Sequence, residues 1–584
     1  MRKLFAICVF VFAPLASAAS GVPSPAATAD QQARALFDAD WQWTMQHQPE
    51  LATCVGDYRF DATLADTSLA ASLAANFHAR AMLDQARAIE RERLTGQNQL
   101  SYDLFIYDHQ RTLKAAGFYP YTVQPITAHS GIHLSFAQLV AQMPFADETG
   151  YRNYLARIAA LPRHIDGLME QLRENMRSGW AAPKAVMRPL PGMLRQMRES
   201  LVAGPLGQPF RQIPGTIAKP VRDELAQAGP AALLAKAAPA LQKLEDFIRT
   251  EYLPAARDTI AASSLPGGSD YYSFLAAGYT SPELGAAEIH ALGLREVARI
   301  RAEMTAVIAQ TGFGGSFKEF AAFANADPRL FFGKPEPLLA RYRRMIERAA
   351  AGLPKLFVTV PDEEIVVKAA PPEQPLAAYY EATADGRPAA LVVNTARLDA
   401  HPLWAMDTVV LHETWPGHHL QTARAHALAD LPEFRRFGWY VAFGEGWAMY
   451  AETLGSELGF YRDPFSRFGQ LNSELFRAAR LVVDTGIHAR GWSRQQALDY
   501  LNTNTANAPS DNEIEIDRYI AWPGQALGYK IGQLKISALR QKAQSALGER
   551  FDLRRFHQAL LDNGPLPMGL LEQQIKAWTR AQQP

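Results

Sequence analysis

Apolar residues recur at every third or fourth position along most of the chain, and this spacing predicts a mostly helical protein. In the segment 151–176, one helical face would carry Leu155, Ile158, Leu161, Ile165, Leu168 and Leu172. Good helix formers dominate the segments 69–94, 337–353, 497–501 and 527–547, which are expected to be helical as well. The order Thr280-Ser281-Pro282-Glu283 predicts the start of a further helix, because it combines a capping residue, a proline and an acidic residue.

One region has a different pattern. Residues 356–360 and 365–367 are rich in β-branched side chains, which favour strands. Residues 377–384 and 389–395 flank Asp385-Gly386, a dipeptide typical of tight β-hairpins. We therefore expect a small sheet directly before residue 400.

The N-terminus has the pattern of a secretory signal. Arg2 and Lys3 precede an apolar run over residues 4–15, and Ala16-Ser17-Ala18 follows with the small residues that a signal peptidase recognises. The run is shorter than the roughly 20 residues that a membrane-spanning helix needs. We interpret residues 1–18 as a cleavable signal peptide. The mature protein is then periplasmic or secreted from a bacterium, with no stable membrane anchor.

The rest of the chain fits one large globular body. It contains 59 Lys and Arg against 59 Asp and Glu, and this balance argues against a nucleic-acid partner. Hydrophobic residues make up 48%, enough for a sizeable core and too many for a disordered scaffold. Because no repeat or long linker interrupts the sequence, residues 19–584 are expected to form a single helical domain, with room for two lobes.

Histidines cluster in one short segment, Leu411-His412-Glu413-Thr414-Trp415-Pro416-Gly417-His418-His419. In the familiar zinc-peptidase pattern, two histidines one helical turn apart bind zinc and a Glu beside the first acts as general base. Here Pro416 occupies the second histidine's position and cannot bind a metal. Proline interrupts a helix and glycine tolerates unusual dihedral angles, so a two-residue bulge would return His418 to the face of His412.

His419 is the alternative to His418. It is in phase with His412 on an ideal helix but lies about 10 Å further along the axis, which is awkward for one ion. We therefore favour His418 as the second ligand.

A catalytic zinc site needs three protein ligands and one open position. Glu445 is the favoured third ligand because it lies between Gly444 and Gly446 at the head of an apolar helix. Glu452, seven residues later, is the competing candidate or a partner that orients a ligand. The expected site holds one zinc ion per chain through His412, His418 and Glu445.

Hydrolysis of an amide also requires donors for the oxyanion that forms. Asp484 and His488 are four residues apart, so on a helix the carboxylate could orient the imidazole. Tyr519 and Tyr529 follow in a segment rich in polar and aromatic residues. His488, Tyr519 and Tyr529 are therefore candidate donors, although a lone His or Tyr is more often structural.

Together these motifs resemble the bacterial family known as domain of unknown function 885. The resemblance rests on the ordered set His412-Glu413-x-x-Pro416-Gly417-His418-His419, Gly444-Glu445-Gly446-Trp447-Ala448, Asp484-x-Gly486-x-His488-x-x-Gly491-Trp492-Ser493 and Arg518-Tyr519-x-x-x-Pro523-Gly524-Gln525-Ala526-x-x-Tyr529-Lys530. It extends to Gly56-Asp57-Tyr58-Arg59, Leu100-Ser101-Tyr102-Asp103 and residues 280–303, and so covers nearly the whole mature chain.

The family in turn resembles helical zinc peptidases such as angiotensin-converting enzyme, thimet oligopeptidase and the thermostable carboxypeptidases. This resemblance implies a large helical, clamshell-like body with a deep channel. It also implies that His412, His418 and Glu445 bind zinc and that Glu413 is the general base. The oxyanion donors would be His488 and either Tyr519 or Tyr529.

The expected function is that of an exported zinc-dependent peptidase acting on a peptide substrate, which the edge of the small sheet would help to bind. Two alternatives stay open. One is a metal-dependent amidase that acts on a non-peptide substrate. The other is a catalytically silent binding protein that contains the metal, although such a protein has no need of Glu413.

Overall fold

The structure is a computed structural model that describes residues 27–370, 377–383 and 386–583. Helices dominate it, which confirms the predicted mostly-α class. The proposed signal peptide lies outside the described residues and stays a prediction. Within the described ranges, each helix is too short or too polar to cross a membrane.

The part of the chain before the sheet is helical throughout. Its first eight helices are α1 (Ala29–His47), α2 (Pro49–Cys54), α3 (Leu69–Arg87), α4 (Gln97–Phe118), α5 (Ile132–Gln142), α6 (Glu148–Ser178), α7 (Lys184–Met187) and α8 (Leu190–Glu199). The next eight are α9 (Gln208–Arg211), α10 (Lys219–Ala232), α11 (Ala238–Phe247), α12 (Leu253–Ala255), α13 (Gly268–Tyr279), α14 (Ala286–Gln310), α15 (Phe317–Ala326) and α16 (Pro335–Gly352). The predicted helices over 69–94, 151–176 and 337–353 correspond to α3, α6 and α16.

A three-stranded sheet follows, made of β1 (Ile365–Ala369), β2 (Ala378–Glu381) and β3 (Ala389–Val393) in the order β1-β3-β2. The central strand β3 is buried at all five positions, runs parallel to β1 and pairs antiparallel with β2. The antiparallel pair confirms the predicted hairpin, although Asp385 lies outside the described residues. In this sheet β2 is an edge strand.

After the sheet the chain is helical again. These helices are α17 (Leu403–Glu413), α18 (His418–His426), α19 (Glu433–Arg436), α20 (Val441–Thr453), α21 (Pro464–Arg490), α22 (Arg494–Asn504), α23 (Pro509–Ala521), α24 (Gly528–Leu547), α25 (Leu553–Leu561) and α26 (Met568–Ala581). The predicted helix over 497–501 lies within α22, and the predicted helix over 527–547 corresponds to α24.

The predicted strand over residues 356–360 is wrong. The Leu356 carbonyl accepts a hydrogen bond from His557 Nδ1 at 2.8 Å, and the Phe357 carbonyl accepts one from Arg554 Nε at 3.3 Å. Both donors lie on α25, and both Leu356 and Phe357 are buried. Packing against α25 therefore replaces strand pairing in this segment.

The predicted helix start at Thr280 is also wrong. Helix α14 begins at Ala286, and the backbone N–H of Gly285 donates to Glu288 Oε2 at 2.8 Å. The Thr280 hydroxyl instead donates to the Ala276 carbonyl at 2.7 Å, at the end of α13. A glycine cap with a later glutamate thus sets the start of α14.

Two hydrophobic cores meet at α17. The larger core joins α6, α8, α11, α14 and α21, and the second joins α16, the sheet, α20, α24 and α26. Trp404 of α17 belongs to the first core, whereas Met406 and Val410 belong to the second. Helix α17 is therefore held by both cores, and its last residues begin the histidine segment.

Candidate metal centre

The helix is interrupted between α17 and α18. Helix α17 ends at Glu413, and α18 begins at His418 after a turn that contains a cis peptide between Trp415 and Pro416. Trp447 Nε1 donates to the Pro416 carbonyl at 2.9 Å and ties this turn to α20. The predicted two-residue bulge is therefore wrong, because the helix stops and a new one starts. The break places the His412 and His418 rings 4.9 Å apart.

Gly417 permits this close return of the chain. A Cβ atom on Gly417 would lie 1.9 Å from the His412 carbonyl oxygen and 2.4 Å from that of Leu411. Both contacts are with backbone, which cannot move aside as a flexible side chain can. A side chain at this position would push His418 away from His412.

We expect Gly417→Ala to lower zinc affinity by at least about tenfold, because a ligand displaced by even a fraction of an ångström fits the ion poorly. Titration with zinc against a competing fluorescent chelator measures this change. Gly569→Ala is the matched control, since a Cβ there meets no atom within 4 Å. Wild-type affinity in Gly417→Ala would show that the turn does not set the position of His418.

Helix α20 brings the third side chain, Glu445, to the two histidines. Its neighbour Gly446 lies against Gly532 of α24, where an added Cβ would be 2.5 Å from the Gly532 Cα. The two helices thus pack backbone to backbone next to Glu445. In the sequence, Gly532 is marked only as a glycine within a predicted helix, and its contact with Gly446 is visible only in the structure.

The three side chains converge on one point. Glu445 Oε2 lies 3.5 Å from His412 Nε2 and 3.4 Å from His418 Nε2, and one ligand atom from each residue lies within 4.8 Å of the others. Ligand atoms at the usual zinc distances are about 3.3 to 3.5 Å apart in a tetrahedron. The two imidazole nitrogens and the carboxylate oxygen therefore form a candidate metal-binding group, and the two distances from Glu445 match the ligand spacing of a zinc site.

Neighbouring charges complete this group. Glu452 Oε1 lies 2.8 Å from His412 Nδ1, the contact expected of a partner that orients a metal-binding imidazole. Burial by itself lowers the pKa of His412, but the carboxylates of Glu445, Glu452 and Glu413 outweigh it and raise that pKa to about 9. Burial likewise raises the pKa of Glu445, but His412 and His418 reverse this and hold it well below its usual value. The group is strongly polar and suited to a cation.

His419 faces away from the metal-binding group. Its Nε2 lies 3.0 Å from the Glu363 carbonyl, and its Nδ1 lies 3.3 Å from the Tyr380 hydroxyl. Burial lowers the pKa of His419 to about 4, so the ring is neutral at pH 7. His419 therefore links α18 to the sheet, and the structure brings His418 rather than His419 to His412 and Glu445.

Glu413 lies beside this group without belonging to it. Its Oε2 accepts a hydrogen bond from the backbone N–H of Tyr380 at 3.0 Å, and Tyr380 lies on the edge strand β2. The carboxylate is thus held in place by backbone rather than by a cationic side chain.

His488 does not reach the metal-binding group as a donor. Its Nδ1 accepts from the Ala262 N–H at 3.0 Å, and its Nε2 lies 2.9 Å from the Tyr519 carbonyl. Asp484, expected to orient this ring, accepts from the Tyr272 hydroxyl and the Gly524 N–H instead. Burial lowers the pKa of His488 to about 3. The role expected of His488 does not fit these contacts, and the ring serves to join three segments.

The two tyrosines have different surroundings. The Tyr519 hydroxyl accepts from Arg480 Nε at 2.8 Å. Tyr529 is close enough to the metal-binding group that the charge of Glu445 adds to burial in raising its pKa. Tyr529 is therefore the better candidate for a donor near the metal.

The remaining motif residues support the fold. Arg59 pairs with Asp57, Arg91 pairs with Asp103, and the buried Arg435 donates to the Ser101 hydroxyl at 2.9 Å. The first two pairs are confined to the N-terminal part of the chain, and the Arg435 contact joins α19 to α4.

Comparison with known proteins identifies the family. Residues 49–575 match the family described as "Bacterial protein of unknown function (DUF885)". This chain belongs to the DUF885 family. The sequence matches no curated protein.

Two solved structures share the DUF885 fold of this chain. A "putative lipoprotein" from Colwellia psychrerythraea is 28% identical with a TM-score of 0.88, over 95% of this chain and 100% of that one. A "putative lipoprotein of unknown function" from Shewanella oneidensis is 17% identical with a TM-score of 0.70, over 94% and 99%. A "putative oligoendopeptidase F" from Bacillus anthracis str. Ames is 12% identical over 86% of this chain and 96% of that one. Its TM-score of 0.27 is too low to indicate a shared fold.

Proposed function

We propose that this DUF885 protein is an exported, zinc-dependent peptidase. The observation that carries the proposal is the position of Glu413, which is close enough to His412 to raise its pKa and which, among the described residues, accepts a hydrogen bond from the Tyr380 N–H. A structural metal site has no use for an additional carboxylate at its edge, whereas hydrolysis needs a base there.

The donor set supports zinc as the metal. Two imidazoles and one carboxylate are typical of catalytic zinc, which keeps a fourth position open. A zinc ion held by these side chains would supply Lewis-acid chemistry, polarising a carbonyl group and acidifying water.

The chain's own residues would perform the proton transfers. Glu413 accepts a proton from the attacking water and passes it to the nitrogen of the leaving amine. Tyr529 donates a hydrogen bond to the oxyanion on the former carbonyl oxygen, and its raised pKa keeps the hydroxyl protonated at neutral pH.

Two surfaces near this group suit an extended peptide. The edge strand β2 has one side unpaired by β3, and the Tyr380 N–H on that side points to Glu413. Trp439 is 51% exposed, and its ring centroid lies 5.8 Å from that of His418. A peptide could add to the strand while an apolar side chain packs on the indole.

Export is supported by the N-terminal pattern and by the two relatives described as lipoproteins. In this chain Cys8 lies within the apolar run rather than after it. We therefore propose a cleaved protein of the periplasm or the medium.

Hydrolysis of a mixed peptide library, followed by mass spectrometry, tests the proposal. We expect defined cleavage products that disappear after treatment with EDTA and return when about one equivalent of zinc is added per chain. An intact library, combined with zinc-dependent release of ammonia or amine from small amides, would favour the amidase alternative. Cleavage that resists EDTA would reject the role of the metal.

A further inference from the structure

A second polar group lies near Tyr529 and carries more positive than negative charge. It consists of Arg480 on α21 with Arg518 and Glu515 on α23. Glu515 Oε2 accepts from Arg480 Nη2 at 3.1 Å and from Arg518 Nη2 at 2.8 Å. One carboxylate thus serves two guanidinium groups.

The other partners of the two arginines are neutral. Arg480 Nε donates to the Tyr519 hydroxyl, and Arg518 Nη1 donates to Gln525 Oε1 at 2.9 Å. Arg480 Nη1 is buried and has no hydrogen-bond partner among the residues that the structure describes, and the Arg480 side chain is only 5% exposed. A guanidinium this deeply buried normally satisfies its donors, because an unpaired buried donor costs free energy.

Among the described residues, the other groups in contact with the two arginines leave part of this positive charge uncompensated. The Arg480 guanidinium lies over the rings of Phe476 and Tyr529, at 4.4 and 4.3 Å from their centroids. These contacts are favourable, but the rings carry no net charge. Arg518 lies close enough to Asp484 to lower the pKa of that carboxyl, but burial outweighs this and raises the pKa to about 7, so Asp484 carries only about half of a negative charge at pH 7. Its oxygens accept hydrogen bonds from Tyr272 and Gly524.

The charged group adjoins the proposed active site through Tyr529. The Tyr529 ring is in contact with Arg480, and the Tyr529 hydroxyl is near enough to Glu445 that the charge of Glu445 helps to raise the pKa of Tyr529. Arg518 is the more accessible arginine, with 17% of its side chain exposed against 5% for Arg480. A carboxylate that enters from solvent would therefore contact Arg518 before Arg480.

We propose that Arg518, supported by Arg480, binds a carboxylate of the substrate beside the metal-binding group. This assignment rests on the proposed peptidase function and adds a substrate class to it. The carboxylate is either the free C-terminus of the peptide or an acidic side chain near the cleaved bond. Planar guanidinium groups suit both, because they bind a carboxylate with two parallel hydrogen bonds.

Three peptide libraries distinguish the sources of the carboxylate. All are N-acetylated hexamers: one has free C-termini, one has C-terminal amides and no acidic residues, and one has C-terminal amides with Glu allowed at each position. We expect the preferred carboxylate class to be cleaved at least about tenfold faster than the neutral amides, the usual gain from a charged hydrogen bond. Preference for the first library identifies the C-terminus, and preference for the third identifies an acidic side chain.

Binding is measured separately on Glu413→Gln, by ultrafiltration with each library and mass spectrometry of the retained peptides. Arg518→Gln should remove most of the preference for carboxylate peptides, both in cleavage, mainly through KM, and in retention when it is combined with Glu413→Gln. Arg518→Lys should keep part of this preference. Arg494→Gln is the matched control, because Arg494 also pairs with a carboxylate of α23, Asp517, but lies outside the Arg480–Arg518 group.

The two proposals fail in different ways. Retention of carboxylate peptides by Glu413→Gln without cleavage by the wild type would reject the peptidase and keep the carboxylate site. Cleavage and retention that do not differ among the three libraries would overturn the carboxylate site, as would absence of retention. The carboxylate site would also be overturned if Arg518→Gln, shown to be folded by circular dichroism, kept the wild-type preference for carboxylate peptides.

Discussion

Glu413→Gln is expected to lower kcat for peptide hydrolysis by about a hundredfold or more, the usual consequence of removing a general base. The zinc content and the melting temperature should stay close to those of the wild type. Glutamine has the same size and keeps an oxygen that can accept the Tyr380 N–H, so the local geometry is preserved. What it lacks is the basic oxygen that takes the proton from water.

Steady-state kinetics on a cleaved library peptide, with metal analysis of the same sample, measure this effect. KM should change much less than kcat, because binding does not depend on proton transfer. Glu457→Gln is the control, since it makes the same chemical change at an exposed position after α20. If Glu413→Gln loses its zinc, then Glu413 is a ligand and the ligand set must be redrawn; an unchanged kcat would place the activity elsewhere.

His412→Ala and Glu445→Ala are each expected to reduce zinc from about one per chain to a small fraction, because two ligands hold zinc far more weakly than three. The contacts of 3.4 and 3.5 Å from Glu445 to the two histidines make each of these residues part of one group. Atomic absorption after dialysis against a weak chelator measures the bound metal.

His419→Ala is the matched control for the ligand variants. It removes a buried imidazole one residue from His418, so it should lower the melting temperature through the lost contacts with Glu363 and Tyr380. Its zinc content should stay at about one per chain. Full occupancy in His412→Ala, or loss of zinc from His419→Ala, would contradict the ligand set.

The sequence was most informative where residue chemistry is restrictive. A proline at position 416 excludes both a metal ligand and a regular helix there, and this favours His418 as the second ligand. Glu445 was inferred from its place between two glycines, and the structure shows one of them, Gly446, in contact with the backbone of α24. The helical class followed from the spacing of apolar residues, because this spacing repeats over long segments.

The sequence was least informative where long-range contacts decide. His488 looks like a catalytic histidine from its motif, but its hydrogen bonds are with Ala262 and Tyr519, 226 and 31 residues away. The β-branched segment at 356–360 is engaged by side chains of α25, nearly 200 residues later. Local patterns contain no information about such partners.

The hydrogen bond from the Tyr380 N–H to Glu413 would determine which peptide bond of a substrate lies beside the base. The strand that would receive the peptide is the strand that fixes the base. Adjacent residues of an extended peptide are about 3.3 Å apart and face opposite sides, so a slip of one residue would turn the wrong face of the backbone toward Glu413. The cleavage position would therefore be set by register on β2, and side-chain pockets would only select which peptides occupy that register.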